Sequence, residues 1–140
     1  MRLVQRAAIT LHGALYRLTA GRLGSKVWGL PVLLLTTTGR RSGRKRTVPL
    51  TYFTEGDAYI LVGSKGGAPT HPAWYLNLEA DPDVEVQMRS ERRRMHARRA
   101  TVEEAERLWP KILERAPGYG RYRDKTAREI PLVFLGRRSA

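Results

Sequence analysis

Residues 33–52, LLLTTTGRRSGRKRTVPLTY, constrain the fold more than any other stretch, because an apolar run breaks into a basic, glycine-punctuated turn and then resumes. Residues 33–38 are apolar or β-branched throughout, and Val48, Leu50 and Tyr52 recur at every second position, the pattern of a strand with one buried face. The two runs predict a β-hairpin. At its tip Gly39 and Gly43 permit positive φ, so that backbone N–H groups can converge, and Arg40, Arg41, Arg44, Lys45 and Arg46 place five cations in seven residues. Such a tip repels itself and is easiest to rationalise with a polyanion bound; the plainer alternative is a solvated basic turn.

At 140 residues the chain suits one domain with its own core. It contains no cysteine, which excludes disulfides, thiolate nucleophiles, iron–sulfur clusters and Cys-ligated zinc, and is compatible with a reducing cytoplasm. His12, His71 and His96 lack ligand spacing and no closely spaced carboxylate pair accompanies them, so no metal is expected. The net charge of +13 is placed unevenly: residues 1–54 hold ten Lys or Arg and no acid, and residues 55–140 hold sixteen against thirteen acids. The partner of that first part is therefore anionic: nucleic acid, a membrane surface, or a phosphorylated or carboxylated small molecule.

Residues 3–18 set Leu3, Val4, Ala7, Ala8, Leu11, Ala14, Leu15 and Leu18 on one helical stripe with Arg2, Arg6 and Arg17 around it. This basic amphipathic helix either packs on the domain or lies on an anionic membrane through residues 1–20. Arg6, His12 and Arg17 interrupt any signal-peptide core, and no run is long enough to span a bilayer. Residues 20–31 read as a connector, which divides the chain into a helix and connector at 1–28 and a domain at 29–140. A strand over 58–62 follows the turn Glu55-Gly56-Asp57, so three strands in sequence suggest an antiparallel meander. Residues 64–69 open a loop, Pro72 starts a short helix through Trp74 and Leu78, and alternation around 84–88 and 94–98 gives two more strands. Thr101 and Glu104 fit a capping box for a helix that Pro110 either kinks or divides; residues 117–122 read as a loop or irregular turn, and 131–135 as a closing strand. About six mostly antiparallel strands with two or three helices favour a small barrel or a helix-covered sheet.

No Walker loop, G-x-G-x-x-G or Ser-His-Asp order is present, so an enzyme of this sequence would rely on a cofactor for its chemistry. Gly39-Arg40-Arg41-Ser42-Gly43-Arg44, Pro49-Leu50, Ser64-Lys65-Gly66-Gly67, His71-Pro72-Ala73-Trp74-Tyr75-x-Asn77-Leu78 and Arg128-Glu129-Ile130-Pro131 together resemble the deazaflavin-dependent nitroreductase family of actinobacteria, from about residue 30 to residue 136. The resemblance implies a split β-barrel, similar to that of flavin-mononucleotide-binding oxidoreductases, which binds reduced deazaflavin coenzyme F420 and passes its hydride to a quinone, activated alkene or nitroaromatic acceptor. By the same resemblance Arg40, Arg41, Ser42, Gly43, Arg44, Arg46 and Pro49 belong to the coenzyme site. Ser64, Lys65, Gly66 and Gly67 would bring backbone donors to the polar edge of its ring, and Trp74 would wall the pocket or serve as a core tryptophan.

Tyr119 and Tyr122 match pocket tyrosines of that family's nitroreductase, and Tyr122 or Ser64 is the candidate group for protonating product. Ala116 stands where a third tyrosine is expected, which bears on nitro-drug activation. A nucleic-acid-binding module is the rival reading, but the aromatic residues are scattered instead of interleaved with the basic run, so no nucleic acid is expected. A lipid-soluble quinone would suit an enzyme held at the inner face of the cell membrane, and a monomer is expected.

Overall fold

The computed structural model describes residues 26–27 and 30–137. The amphipathic stretch at 3–18 and the boundary near residue 28 lie outside them. Among the described residues there are eight strands and three helices, in the order β1 (Lys26–Val27), β2 (Leu30–Thr38), β3 (Lys45–Thr51), β4 (Phe53–Glu55), β5 (Ala58–Val62), α1 (Ala73–Ala80), β6 (Asp83–Met88), β7 (Glu91–Arg99), α2 (Val102–Arg115), α3 (Gly118–Lys125) and β8 (Leu132–Arg137). A single 3-10 turn, Lys65–Gly67, follows β5.

All strand pairs are antiparallel. From β2 the sheet runs through β6, β7, β8 and β5 to β4, while β3 pairs with the other side of β2. The hydrogen-bonded path is therefore open between β3 and β4. These two edges are nevertheless consecutive in the chain, separated by Tyr52, whose N–H donates to the Pro31 carbonyl at 3.1 Å. The backbone thus joins what the hydrogen bonds leave apart, and the sheet curls into a split barrel.

Among the described residues, period-two alternation sorts most buried side chains between two large cores, with Val32 and Leu34 of β2 forming a small third cluster. Leu33, Leu35, Leu61, Val133 and Leu135 gather with Val84, Val86, Met95 and Ala97 around Trp74, Tyr75 and Leu78 of α1. The alternate residues Ile60, Val62, Leu132 and Phe134 meet Leu108, Trp109 and Ile112 of α2. Strands covered on both faces read as unbroken apolar runs, which is why β5 and β8 are so plain in the sequence. The capping box at the start of α2 is present, with Thr101 Oγ1 accepting from the Glu104 N–H at 3.2 Å and Glu104 Oε1 from the Thr101 N–H at 2.9 Å.

The structure corrects three expectations and narrows a fourth. The connector contains β1, paired to β2 through Lys26 opposite Pro31. The meander is broken, since β3 pairs with β2 and only β4 pairs with β5. Of the two outcomes expected at Pro110, division is excluded, because α2 continues through it; the proline lies on the exposed side, where water can solvate the Glu106 carbonyl that loses its donor. Residues 118–125 form a helix despite two glycines, because α3 packs against the turn at Lys65–Gly67 and tertiary contact outweighs propensity.

Candidate active site

The arginine tip is shaped by its backbone. Gly39 donates its N–H to the Arg44 carbonyl at 2.7 Å, and Gly43 donates to the Gly39 carbonyl at 2.8 Å. Gly43 has φ of 71°. Gly39 is not among the positive-φ glycines; its requirement is steric, because a Cβ there would meet Ser42 Oγ at 2.7 Å and the Arg44 carbonyl oxygen at 3.2 Å. Ser42 Oγ accepts from the Arg44 N–H at 3.2 Å.

Buried Asn77 of α1 anchors this tip. Its Oδ1 accepts from both the Arg40 N–H at 3.2 Å and Arg40 Nη1 at 3.0 Å, and its Nδ2 donates to buried Thr37 Oγ1 at 3.2 Å. Lys45 Nζ donates to Thr38 Oγ1 at 3.1 Å. Among the described residues no carboxylate pairs with Arg40, Arg41, Arg44, Lys45 or Arg46. A groove of about 700 Å³ lies beside the tip, lined by Arg40, Arg41, Ser42, Arg46, Trp74 and Asn77 among others. Trp74 is buried in the first core and also borders the groove. Arg44 and Pro49 do not line it; Pro49 sits opposite Leu34 in the β2–β3 register, one position beyond the lining residue Val48.

The second cluster is the turn after β5. Ser64 is helical in backbone, and Lys65, Gly66 and Gly67 follow with φ of 46°, 62° and 82°. A Cβ on Gly67 would meet the Tyr122 carbonyl oxygen at 2.8 Å, so only glycine lets α3 seat there. Arg128 grips the turn from within: Nε donates to the Ala68 carbonyl at 2.8 Å, Nη1 to that of Gly63 at 3.1 Å and Nη2 to that of Ser64 at 2.7 Å. Nη1 also lies 3.1 Å from His71 Nδ1. Burial first, and then the nearby Arg128 and Arg99 charges, push the His71 pKa down, and because a guanidinium can only donate, Nδ1 is the acceptor in this contact.

Tyr119 and Tyr122 pack edge to face, with ring centroids 5.8 Å apart. Their hydroxyls differ. Tyr119 Oη shares a 2.8 Å hydrogen bond with Thr51 Oγ1, and burial raises its pKa; the Tyr122 hydroxyl has no hydrogen-bond partner among the described residues. The structure thus joins Tyr122 to residues 65–67 through packing, and joins Trp74 to the arginine tip through Asn77. α1 links the two clusters, with His71 just before its start and Asn77 within it. Asn77, Arg128 and His71 were quoted only as parts of motifs in the sequence; nothing local distinguishes a buried asparagine that anchors a loop from one on a helix surface.

The model of the F420H(2)-dependent quinone reductase family matches residues 8–136. An F420H(2)-dependent quinone reductase of Mycobacterium tuberculosis (strain H37Rv) is 44% identical over 134 residues, covering 93% of this chain and 90% of that protein. The solved structure of an F420-H2 dependent reductase, FDR-A, is 43% identical with a TM-score of 0.68, over 75% of this chain and 93% of that one. A second structure, described as a domain-swapped dimer, is 39% identical with a TM-score of 0.70, over 90% and 96% of the two chains.

Proposed function

Because the chain belongs to the F420H(2)-dependent quinone reductase family, we propose that it transfers a hydride from reduced coenzyme F420 to a quinone. The observation in the fold that carries this reading is the arginine-lined groove beside Trp74, whose cations have no acidic partner among the described residues. The coenzyme bears a phosphodiester and an oligoglutamate tail, and guanidinium forks match phosphate and carboxylate oxygens. The donor set therefore fits. Arg40, Arg41, Arg44 and Arg46 would take the anionic portion, with Ser42 and Gly43 shaping the tip and Pro49 continuing β3 beside it. Residues 64–67 would offer backbone N–H groups to the ring's polar edge, and Trp74 would wall the groove.

When bound in its reduced form, the coenzyme supplies the hydride. The chain's part is to orient, to exclude water and to manage a proton. Tyr119, tied to Thr51, holds the pocket wall, and the uncommitted Tyr122 hydroxyl is the group we assign to the acceptor oxygen, with Ser64 as the alternative. Activated alkenes and nitroaromatics are further acceptors that the same pocket would serve, and docking on an anionic membrane through residues 1–20 would suit a lipid-soluble quinone. Among the described residues no helix is long and apolar enough to cross a membrane. The expectation of a monomer finds no support in the domain-swapped relative.

Titration with oxidised coenzyme, followed by intrinsic tryptophan fluorescence, is the direct test. Saturable quenching, together with quinone-dependent oxidation of the reduced coenzyme, is expected. Salt-sensitive DNA binding without any response to the coenzyme would restore the nucleic-acid reading.

A further inference from the structure

We propose that Arg128 is a positioning residue for the coenzyme site, fixing the turn at residues 64–68 by occupying its carbonyl oxygens and leaving the Lys65 and Gly66 N–H groups turned out for the ligand. This rests on the reading that residues 64–67 meet the coenzyme. One guanidinium reaches both ends of the turn, Gly63 and Ser64 on one side and Ala68 on the other, at 2.7–3.1 Å. The turn's own bonds run from the Gly67 N–H to the Ser64 carbonyl, shared with Arg128, at 2.9 Å and from the Ala68 N–H to the Lys65 carbonyl at 3.1 Å. The Lys65 and Gly66 N–H groups have no acceptor among the described residues, and both residues are exposed. Gly66 and Gly67 adopt positive φ without cost, but Lys65, at φ of 46°, does not, so the turn needs support at that position. A lysine at 128 would present a compact charge without the fork needed to span the turn.

His71 completes the clamp and makes it sensitive to pH. Its Nδ1 can accept from Arg128 only while unprotonated, and a second proton would set two donors face to face. The charged and titratable groups facing it are Arg128, Arg99 of β7, Glu79 of α1 and the Tyr75 ring, whose centroid is 4.8 Å away. On its outer side Arg128 borders a separate groove with Glu106, Arg123 and Glu129.

The test compares wild type, Arg128→Lys and His71→Asn, titrated with oxidised coenzyme F420 across acid to neutral pH. Arg128→Lys should bind the coenzyme at least about tenfold more weakly while its far-ultraviolet circular dichroism and the KM for quinone stay unchanged. In the coenzyme-free protein its Lys65 and Gly66 amides should exchange hydrogen faster than those of wild type. Wild-type affinity should fall on the acid side as His71 gains its proton, and His71→Asn, whose amide oxygen replaces Nδ1, should lose that fall. Equal coenzyme affinity and equal amide exchange in wild type and Arg128→Lys would overturn the proposal. A wild type that ignores the coenzyme would overturn the proposed function instead, and the amide exchange would still judge the clamp.

Discussion

The arginine tip at residues 39–46 and Arg128 use the same side chain in opposite ways. Of the tip's arginine side chains, Arg40 is engaged by Asn77, whereas those of Arg41, Arg44 and Arg46 have neither carboxylate nor carbonyl partners among the described residues. Arg128 instead spends its fork on three carbonyl oxygens and an imidazole nitrogen. A guanidinium whose donors are satisfied inside the protein builds scaffold, and burial accordingly lowers its pKa. One whose donors face water keeps them free to meet an anion, and the backbone, not the cations, holds its loop in shape.

The largest effect should come from the scaffold arginine. Arg128→Met keeps the volume and removes every donor, leaving the carbonyls of Gly63, Ser64 and Ala68 to find water, and should cost about 3 kcal/mol of stability. Arg44→Ala at the tip should change stability by less than about 0.5 kcal/mol. Urea unfolding of both variants checks the contrast, and similar midpoints would erase it.

Binding should reverse that order among the exposed groups. Arg41→Ala and Arg44→Ala should each weaken coenzyme binding by about 1.5–3 kcal/mol, the worth of a charge-assisted contact. Calorimetric titration with unchanged affinity for both would remove the tip from the site. If Arg41 alone matters, the groove-lining position, not the charge of the whole tip, is what counts.

What the sequence made legible is whatever depends on local pattern. The strands of the barrel, the Thr101–Glu104 box and the turn glycine Gly43 each follow from spacing or composition within a few residues. The two-core arrangement was legible only as unbroken apolar runs in β5 and β8. The break at Tyr52 was not, because it depends on which strand each half finds as partner, a long-range matter that the continuous pattern of residues 45–55 hides. α3 was missed because Gly118 and Gly120 argue against a helix, and the surface that rescues it belongs to residues 65–67. Arg128 and Asn77 were invisible as anchors for a similar reason: each acts on a loop dozens of residues away.

The tyrosine pair extends the contrast between committed and uncommitted donors. The Tyr119 hydroxyl shares a hydrogen bond with that of Thr51, whereas that of Tyr122 has no partner among the described residues. As hydride arrives at a quinone, negative charge grows on oxygen, and a phenol placed there stabilises the transition state more than the ground state. Tyr122→Phe should lower turnover by roughly tenfold or more, at least ~1.4 kcal/mol, with coenzyme affinity nearly unchanged. Tyr119→Phe should instead lower stability by about 1 kcal/mol through the lost bond to Thr51. Full activity of Tyr122→Phe with several acceptors would leave Ser64 or water as the proton source.

Arg98 is the intermediate case, paired like Arg128 but exposed like Arg44, and it separates pairing from burial. Its guanidinium meets both Glu104 oxygens, at 2.7 and 2.8 Å, and lies 4.4 Å from the Phe134 ring centroid. The hydrogen bonds from Arg98, reinforced by the Thr101 N–H, hold the Glu104 carboxyl down at about 2. A depressed carboxylate pKa adds stability that is complete above the ordinary value near 4.5 and is lost as pH falls toward about 2. With Arg98 half-exposed, solvent and salt screen the pair, so Glu104→Gln should cost only about 0.5–1 kcal/mol at neutral pH, part of it from the weakened cap. The gap between wild type and Glu104→Gln in thermal unfolding should narrow as the solution is acidified through that window, and it should also shrink in high salt. A gap that persists after the carboxylate is protonated would mean that the cap made with the Thr101 N–H, not the charge pair with Arg98, is what Glu104 contributes.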